Sequence, residues 1–158
     1  MATPAHVERL RVRYSDTDAQ GIAHHSNYLR WLEEARIGWL AALASDYRQL
    51  NARGIHIPLT ACACTFHRSV GPGDLLEVRL WVTTATRVRA SFAYEVWRDG
   101  ALVATASTAH AFVNAAGAPV RLAREDPFWR AVCAATGAAI APSPTGMSWD
   151  RLRGMTQG

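Results

Sequence analysis

The chain has 158 residues, 49% of them hydrophobic and 19% charged, with a formal net charge of +4 at pH 7. That is the length and composition of one ordinary globular domain, with neither the bias of a disordered chain nor the period of a repeat array. All 17 basic residues are arginine, so a Schiff-base lysine and a phosphate-loop lysine are both excluded.

The first residues hold no apolar core of signal-peptide length, and no run has the length that spans a bilayer, so a cytoplasmic protein with no membrane partner is expected. Between Glu8 and Tyr14, Leu10, Val12 and Tyr14 alternate with Arg9, Arg11 and Arg13, which predicts a strand with one buried face. The run SDTDAQG breaks it. From Asn27 to about Ala44 the period changes: Tyr28, Trp31, Leu32, Ala35, Trp39, Leu40 and Leu43 recur at spacings of three and four. This predicts a long amphipathic helix with Ser26 as its N-cap and Arg30, Glu33, Glu34 and Arg36 on the exposed side.

A short helix is expected from Asp46 to Ala52, a turn at Gly54, then strands only. Ile57 to Val70 alternates, the GPGD run at 71–74 turns, and Leu76, Val78, Leu80 and Val82 form the next apolar face. Val88 to Val96 alternates likewise. The D-G pair of WRDGAL marks a tight hairpin into a strand from Leu102 to about Val113. A last helix is expected from Asp126 to about Thr136, with Pro127 in its first turn, followed by a loosely held Pro-, Gly- and Ser-rich tail over 138–158. One strand, one long helix and four more strands read as an α+β domain over 1–137, a single helix packed on a curved antiparallel sheet.

Three cysteines, Cys62, Cys64 and Cys133, are an odd number, and a C-x-C pair in a strand points both side chains one way; reduced, buried thiols are expected and no metal site. The run DTDAQG begins like a calcium loop, but its twelfth position is Asn27 where a bidentate glutamate is needed, and a strand precedes it. On composition alone, Asp16 and Asp18 are turn-forming residues. Their position argues for more: they stand beside the start of a long helix, whose first amides carry partial positive charge and lack internal partners. A carboxylate beside such amides suits chemistry that develops an oxyanion.

The run YSDTDAQGIAHHSNYLRWLEEAR closely resembles the signature of the 4-hydroxybenzoyl-CoA thioesterase family, D-x-D-x-x-G-I followed by H-x-N-Y and then an aromatic and an acid on the helix. The dense match covers about 23 residues, and the order of elements agrees over about 7–135. The resemblance implies the hotdog fold, a five-stranded antiparallel sheet wrapped around one long central helix, and an acyl-CoA thioesterase without a cofactor. Carried over position by position, the catalytic carboxylate falls on Asp18 and the carbonyl-polarising backbone amide on His25. Gly21, Ile22, His24, Asn27 and Tyr28 fall around the substrate, Asn27 and Tyr28 as the pair that holds the loop-to-helix junction. Asp16 matches a frequent acid of structural role. Arg87 and Arg89 match a loop that contacts the phosphates of coenzyme A, with Arg68, Arg121 and Arg124 as weaker candidates. The resemblance further implies a homo-oligomer, a dimer or a tetramer.

The chemistry is consistent with that reading. A thioester is already electrophilic and thiolate leaves readily, so a carboxylate and one or two oxyanion donors suffice, and no serine sits in G-x-S-x-G. Asp18 can act as general base or as nucleophile. An acyl carrier protein could replace coenzyme A, since both present phosphopantetheine. Two other classes remain: a hotdog acyl-thioester dehydratase or isomerase, and a non-catalytic acyl-CoA binder. Nucleic acid is not expected as a partner, because the arginines are dispersed and form no stripe with aromatics.

Overall fold

The computed structural model describes residues 2–43 and 47–136. Five strands, β1 (His6–Arg11), β2 (Leu59–Phe66), β3 (Leu75–Ala85), β4 (Arg89–Arg98) and β5 (Ala101–Ala111), form one antiparallel sheet in the order β1-β3-β4-β5-β2. Three helices accompany it: α1 (Ser26–Ala42), α2 (Tyr47–Ala52) and α3 (Pro127–Thr136). The expected α+β architecture, one strand, a long helix and four strands, is the one observed. Residues 138–158, read from sequence as a loose tail, lie outside the described residues, as does Asp46 at the expected start of α2.

Helix α1 forms because its apolar residues fall on one side, and that side lies on the sheet. Trp31, Leu32, Ala35, Trp39 and Leu40 are buried there, over Leu76, Val78, Leu80 and Val82 of β3 and Phe92, Tyr94 and Val96 of β4. Trp39 meets Phe92 edge to face, with ring centroids 5.4 Å apart. Each such side chain contributes about 1.5–3 kcal/mol by leaving water, which a single helix could not supply from propensity alone. The hairpin between β4 and β5 turns at Asp99 and Gly100, with φ of 50° and 76°, the left-handed pair that a two-residue type I′ turn requires. Asp126 caps α3 through Oδ1, which accepts from the amides of Phe128 at 2.9 Å and Trp129 at 3.3 Å.

Several local expectations need correction. Tyr14 is 84% exposed, not on the buried face of β1. The ladder of β1 ends at Arg11, Val12 turns inward by exchanging backbone hydrogen bonds with the turn after β2, and Tyr14 begins a single 3-10 turn. Arg36, placed on the solvent side by its charge, is buried at 8% exposure. The cysteines are free, but Cys62 and Cys133 are exposed and Cys64 is half-buried. On β2, a sheet edge, Cys62 is left uncovered, whereas Cys64 packs against the core and burial raises its thiol to about 11.

Candidate active site

The loop between β1 and α1 is built around Asp16. Its carboxylate accepts the amide of Arg13 at 2.8 Å. Its carbonyl accepts the amide of His24 at 2.8 Å and Nδ2 of Asn27 at 2.7 Å. Asn27 is therefore a buried strut that ties the first turn of α1 to the acid loop, with a longer contact of 3.4 Å to the His24 carbonyl. Within the loop, Thr17 bridges Ala23, the amide of Asp18 donates to the carbonyl of Ile22 at 2.9 Å, and Gly21 donates to Asp18 at 3.0 Å. Gly21 closes this small loop at φ 75°, a conformation that costs a residue with a Cβ about 1–2 kcal/mol.

Asp18 stands half-buried at the start of that loop. One carboxylate oxygen, Oδ1, accepts the amide of Gln20 at 2.8 Å, and the other has no partner among the described residues. The side chain lines a cleft of about 340 Å³. Ile22, His25 and Tyr28 share its wall with Asp18, and Phe66, His67, Arg68 and Ser69 form the opposite one. Tyr28 packs edge to face on Phe66 at 4.8 Å. Burial, and then the neighbouring Cys64, raises the Tyr28 phenol above its ordinary pKa against an opposing effect of Arg98, so it stays a neutral hydroxyl.

Helix α1 begins at Ser26, and its cap is His25, in helical conformation and without a side-chain cap bond; Ser26 is not the N-cap expected. The hydroxyl of Ser26 instead meets Nδ1 of His24 at 2.8 Å, which ties that imidazole to the helix start. The amides of Asn27 and Tyr28 are spent on the carbonyls of His24 and His25, whereas the N–H of His25 has no acceptor among the described residues. An unspent amide at the positive end of a 17-residue helix, in the wall of a cleft that holds a carboxylate with a free oxygen, is an arrangement for polarising a carbonyl next to a base or nucleophile.

Gly21 and Ile22 thus lie in the Asp18 loop, and His24, His25, Asn27 and Tyr28 at its junction with α1. Arg87 and Arg89 do not join them within one chain. Arg89 pairs with Ala111 and Phe66 with Ala104, seven residues along β5, which is about 24 Å of strand. Arg87 holds the turn between β3 and β4 to the segment before α3: its Nη1 donates to the Leu122 carbonyl at 3.2 Å. Of the wall at 66–69 the sequence offers only Arg68, as a weaker phosphate candidate, because the wall enters the site through sheet pairing and no local motif marks it. It is held in turn by Val70, whose carbonyl accepts the Ala23 amide at 2.8 Å, and by Arg98, whose Nη1 donates to the Ser69 carbonyl at 3.3 Å and to the Asp74 carboxylate at 2.7 Å. Among the described residues no group of three or more His, Cys, Asp or Glu is placed to hold a metal ion, and no helix is long and apolar enough to cross a membrane.

Comparison with known proteins bears on this geometry. A sequence model of the thioesterase-like superfamily matches residues 12–144. A 1,4-dihydroxy-2-naphthoyl-CoA hydrolase of Thermosynechococcus vestitus is 32% identical over 110 residues, covering 68% of this chain and 75% of that protein. The crystal structure of a hypothetical protein from Aquifex aeolicus superposes with a TM-score of 0.72 at 34% identity, over 75% of this chain and 94% of that one. The DHNA-CoA thioesterase of Staphylococcus aureus superposes with a TM-score of 0.79 at 28% identity, over 84% and 91%.

Proposed function

The chain belongs to the thioesterase-like superfamily and is a thioester hydrolase of hotdog fold, and from this premise we propose that it cleaves acyl-CoA to free acid and coenzyme A at Asp18. The observation that carries this reading is that Asp18, with one carboxylate oxygen free among the described residues, lines the same cleft as His25, whose N–H is likewise unspent among them. The thioester carbonyl docks against that N–H at the head of α1, where the helix dipole favours the charge that develops on oxygen. One such donor is worth about 10²–10³ in rate. Asp18 then either takes a proton from water or attacks the carbonyl to form a mixed anhydride. A single turnover in ¹⁸O-water that carries label into the Asp18 carboxylate shows the anhydride route with water attacking the aspartyl carbonyl, whereas trapping of an acyl-enzyme by hydroxylamine reports the anhydride whichever carbonyl water attacks.

Gly21 and Ile22 border the entrance, Asn27 and Tyr28 hold the junction, and His24 is fixed beside them. The phosphates of coenzyme A are assigned to Arg87 and Arg89 of a neighbouring subunit in a homo-oligomer, a dimer or a homotetramer, since the register sets Arg89 about 24 Å along the sheet from the Phe66 wall of the cleft in its own chain. Among the described residues β1 and β2 are the edges of the sheet, the strands available for that assembly. We place the reaction in the cytoplasm, with acyl carrier protein as the other carrier of the same phosphopantetheine arm.

The test is loss of thioester absorbance across short, long and aromatic acyl-CoAs, read in the ultraviolet because exposed Cys62 and Cys133 would react with a thiol reagent. Saturable hydrolysis of at least one substrate is expected. Saturable binding without hydrolysis anywhere in the panel would make the protein a binder instead.

A further inference from the structure

Arg36 lies on α1 eleven residues beyond His25, about 16 Å along the helix, and is 8% exposed. Burying a guanidinium is costly unless partners compensate. Its carboxylate partner is Glu33, 3.5 Å away on a side chain that is itself 57% exposed. Its Nε donates to the Tyr47 hydroxyl at 2.9 Å. Behind it the Tyr94 hydroxyl meets Thr108 Oγ1 at 2.9 Å, and Thr108 meets Nε2 of His110 at 3.0 Å, all three residues being almost fully buried. Burial, reinforced by the charge of Arg36, pushes the His110 imidazole down to about 4. His110 is therefore neutral at pH 7 and Arg36 is the buried cation of the cluster.

This cluster is not sealed. Arg36, Tyr47 and Thr108 line a groove of about 390 Å³ between α1 and the entry to β2, flanked by Leu29 and Leu59, which are 39% and 47% exposed. Leu29 follows Tyr28 of the Asp18 cleft on α1, and Leu59 opens the strand that Phe66 of that cleft closes. Both concavities therefore border α1 and β2 without sharing a lining residue, and Arg30 and Glu33 also line the second, so that with Arg36 its charged side chains sum to one positive charge.

We propose that this groove receives the far end of the acyl group and that Arg36, with the Tyr47 and Thr108 hydroxyls, binds a carboxylate there, so that the preferred substrates are acyl-CoAs ending in a second carboxyl group. The proposal rests on the reading that the thioester sits at Asp18 and His25. The span of about 16 Å, less a hydrogen bond of about 3 Å at Arg36, corresponds to roughly eleven bonds of extended chain, at the ~1.2 Å per bond of an extended backbone.

The decisive comparison is the mono-CoA thioester of dodecanedioic acid against dodecanoyl-CoA, equal in length and different only at the end. Wild type is expected to favour the first by about tenfold or more in kcat/KM, the scale of a charge-assisted pair. Arg36→Met should erase or invert that ratio through KM while leaving dodecanoyl-CoA hydrolysis within a few-fold, Arg36→Lys should restore part of it, and Tyr47→Phe should lower it. A wild-type ratio of one or less, or an unchanged ratio in Arg36→Met, overturns the proposal. If Arg36→Met does not fold, the wild-type ratio and Tyr47→Phe decide. If wild type hydrolyses no thioester at all, the functional reading fails separately, and thermal shift decides this one: free dodecanoate, whose carboxylate can reach Arg36, must raise the melting temperature more than 1-dodecanol does.

Discussion

His110 is the place where burial should make stability depend on pH. The imidazole is 1% exposed, and its pKa falls from the ordinary 6.5 to about 4, because burial and then the Arg36 charge oppose protonation. The groups around it are Arg36 from α1, Tyr47 from α2, Tyr94 from β4 and Thr108 from its own strand. A depressed histidine is neutral in the fold and protonated first in the unfolded chain. Between pH 6.5 and 4 the unfolded chain therefore binds more protons, and stability falls as pH falls. At 1.36 kcal/mol per unit the full loss is about 3 kcal/mol, of which about 2 kcal/mol falls between pH 6.5 and 5. The carboxyl groups of Asp74 and Glu77 contribute below that interval, since contacts with the Gly71 amide and with Arg79 hold them under their ordinary 3.8 and 4.5. Urea unfolding at fixed protein concentration should give a midpoint that drops between pH 6.5 and 5 in wild type. In His110→Gln, which keeps a polar group towards Thr108 but does not titrate, the drop should shrink by about 2 kcal/mol. Equal drops in the two proteins would refute the reasoning.

Three further outcomes follow from named contacts. Asp126→Ala removes the cap of α3 and the ion pair with Arg53, and should cost about 1–2 kcal/mol in urea unfolding, with faster hydrogen exchange at Phe128 and Trp129; unchanged exchange would contradict the cap. Leu80→Ala empties a fully buried site on β3 beneath α1 and should cost about 3 kcal/mol, so a loss below about 1 kcal/mol would mean that the site is not packed as described. Asn27→Ala cuts the strut to the Asp16 carbonyl and should lower kcat about ten- to a hundredfold with a smaller change in KM, because the loop that carries Asp18 loses its registration against α1; an equal loss in kcat/KM carried by KM alone would point to substrate binding instead.

The elements that local pattern specifies were legible before the structure: α1 from its apolar spacing, the Asp99–Gly100 turn from a pair suited to positive φ, and α3 from Pro127 in a first helical turn. The α+β order followed from these and from strand alternation. What escaped is what pairing decides. Arg36 reads as a surface charge on α1 because nothing nearby in sequence announces Tyr47 and Tyr94, which bury it. Cys62 reads as a core thiol because edge position in the order β1-β3-β4-β5-β2 is a property of the whole sheet. The Asp18 loop was legible as a motif, yet its facing wall at 66–69 arrives from the end of β2 and had no signal of its own. Arg87 and Arg89 matched a phosphate-contacting loop by position, and the register shows them at the other end of the sheet from Asp18.

The central claim, that the Asp18 carboxylate does the chemistry, is tested most directly by the hydrolysis rate of Asp18→Asn on the best acyl-CoA substrate, measured beside circular dichroism and oligomeric state. The account predicts a kcat lower by about 10²–10⁴ with substrate binding, fold and assembly retained. A variant as fast as wild type would contradict it and leave Asp18 as a residue that only shapes the turn.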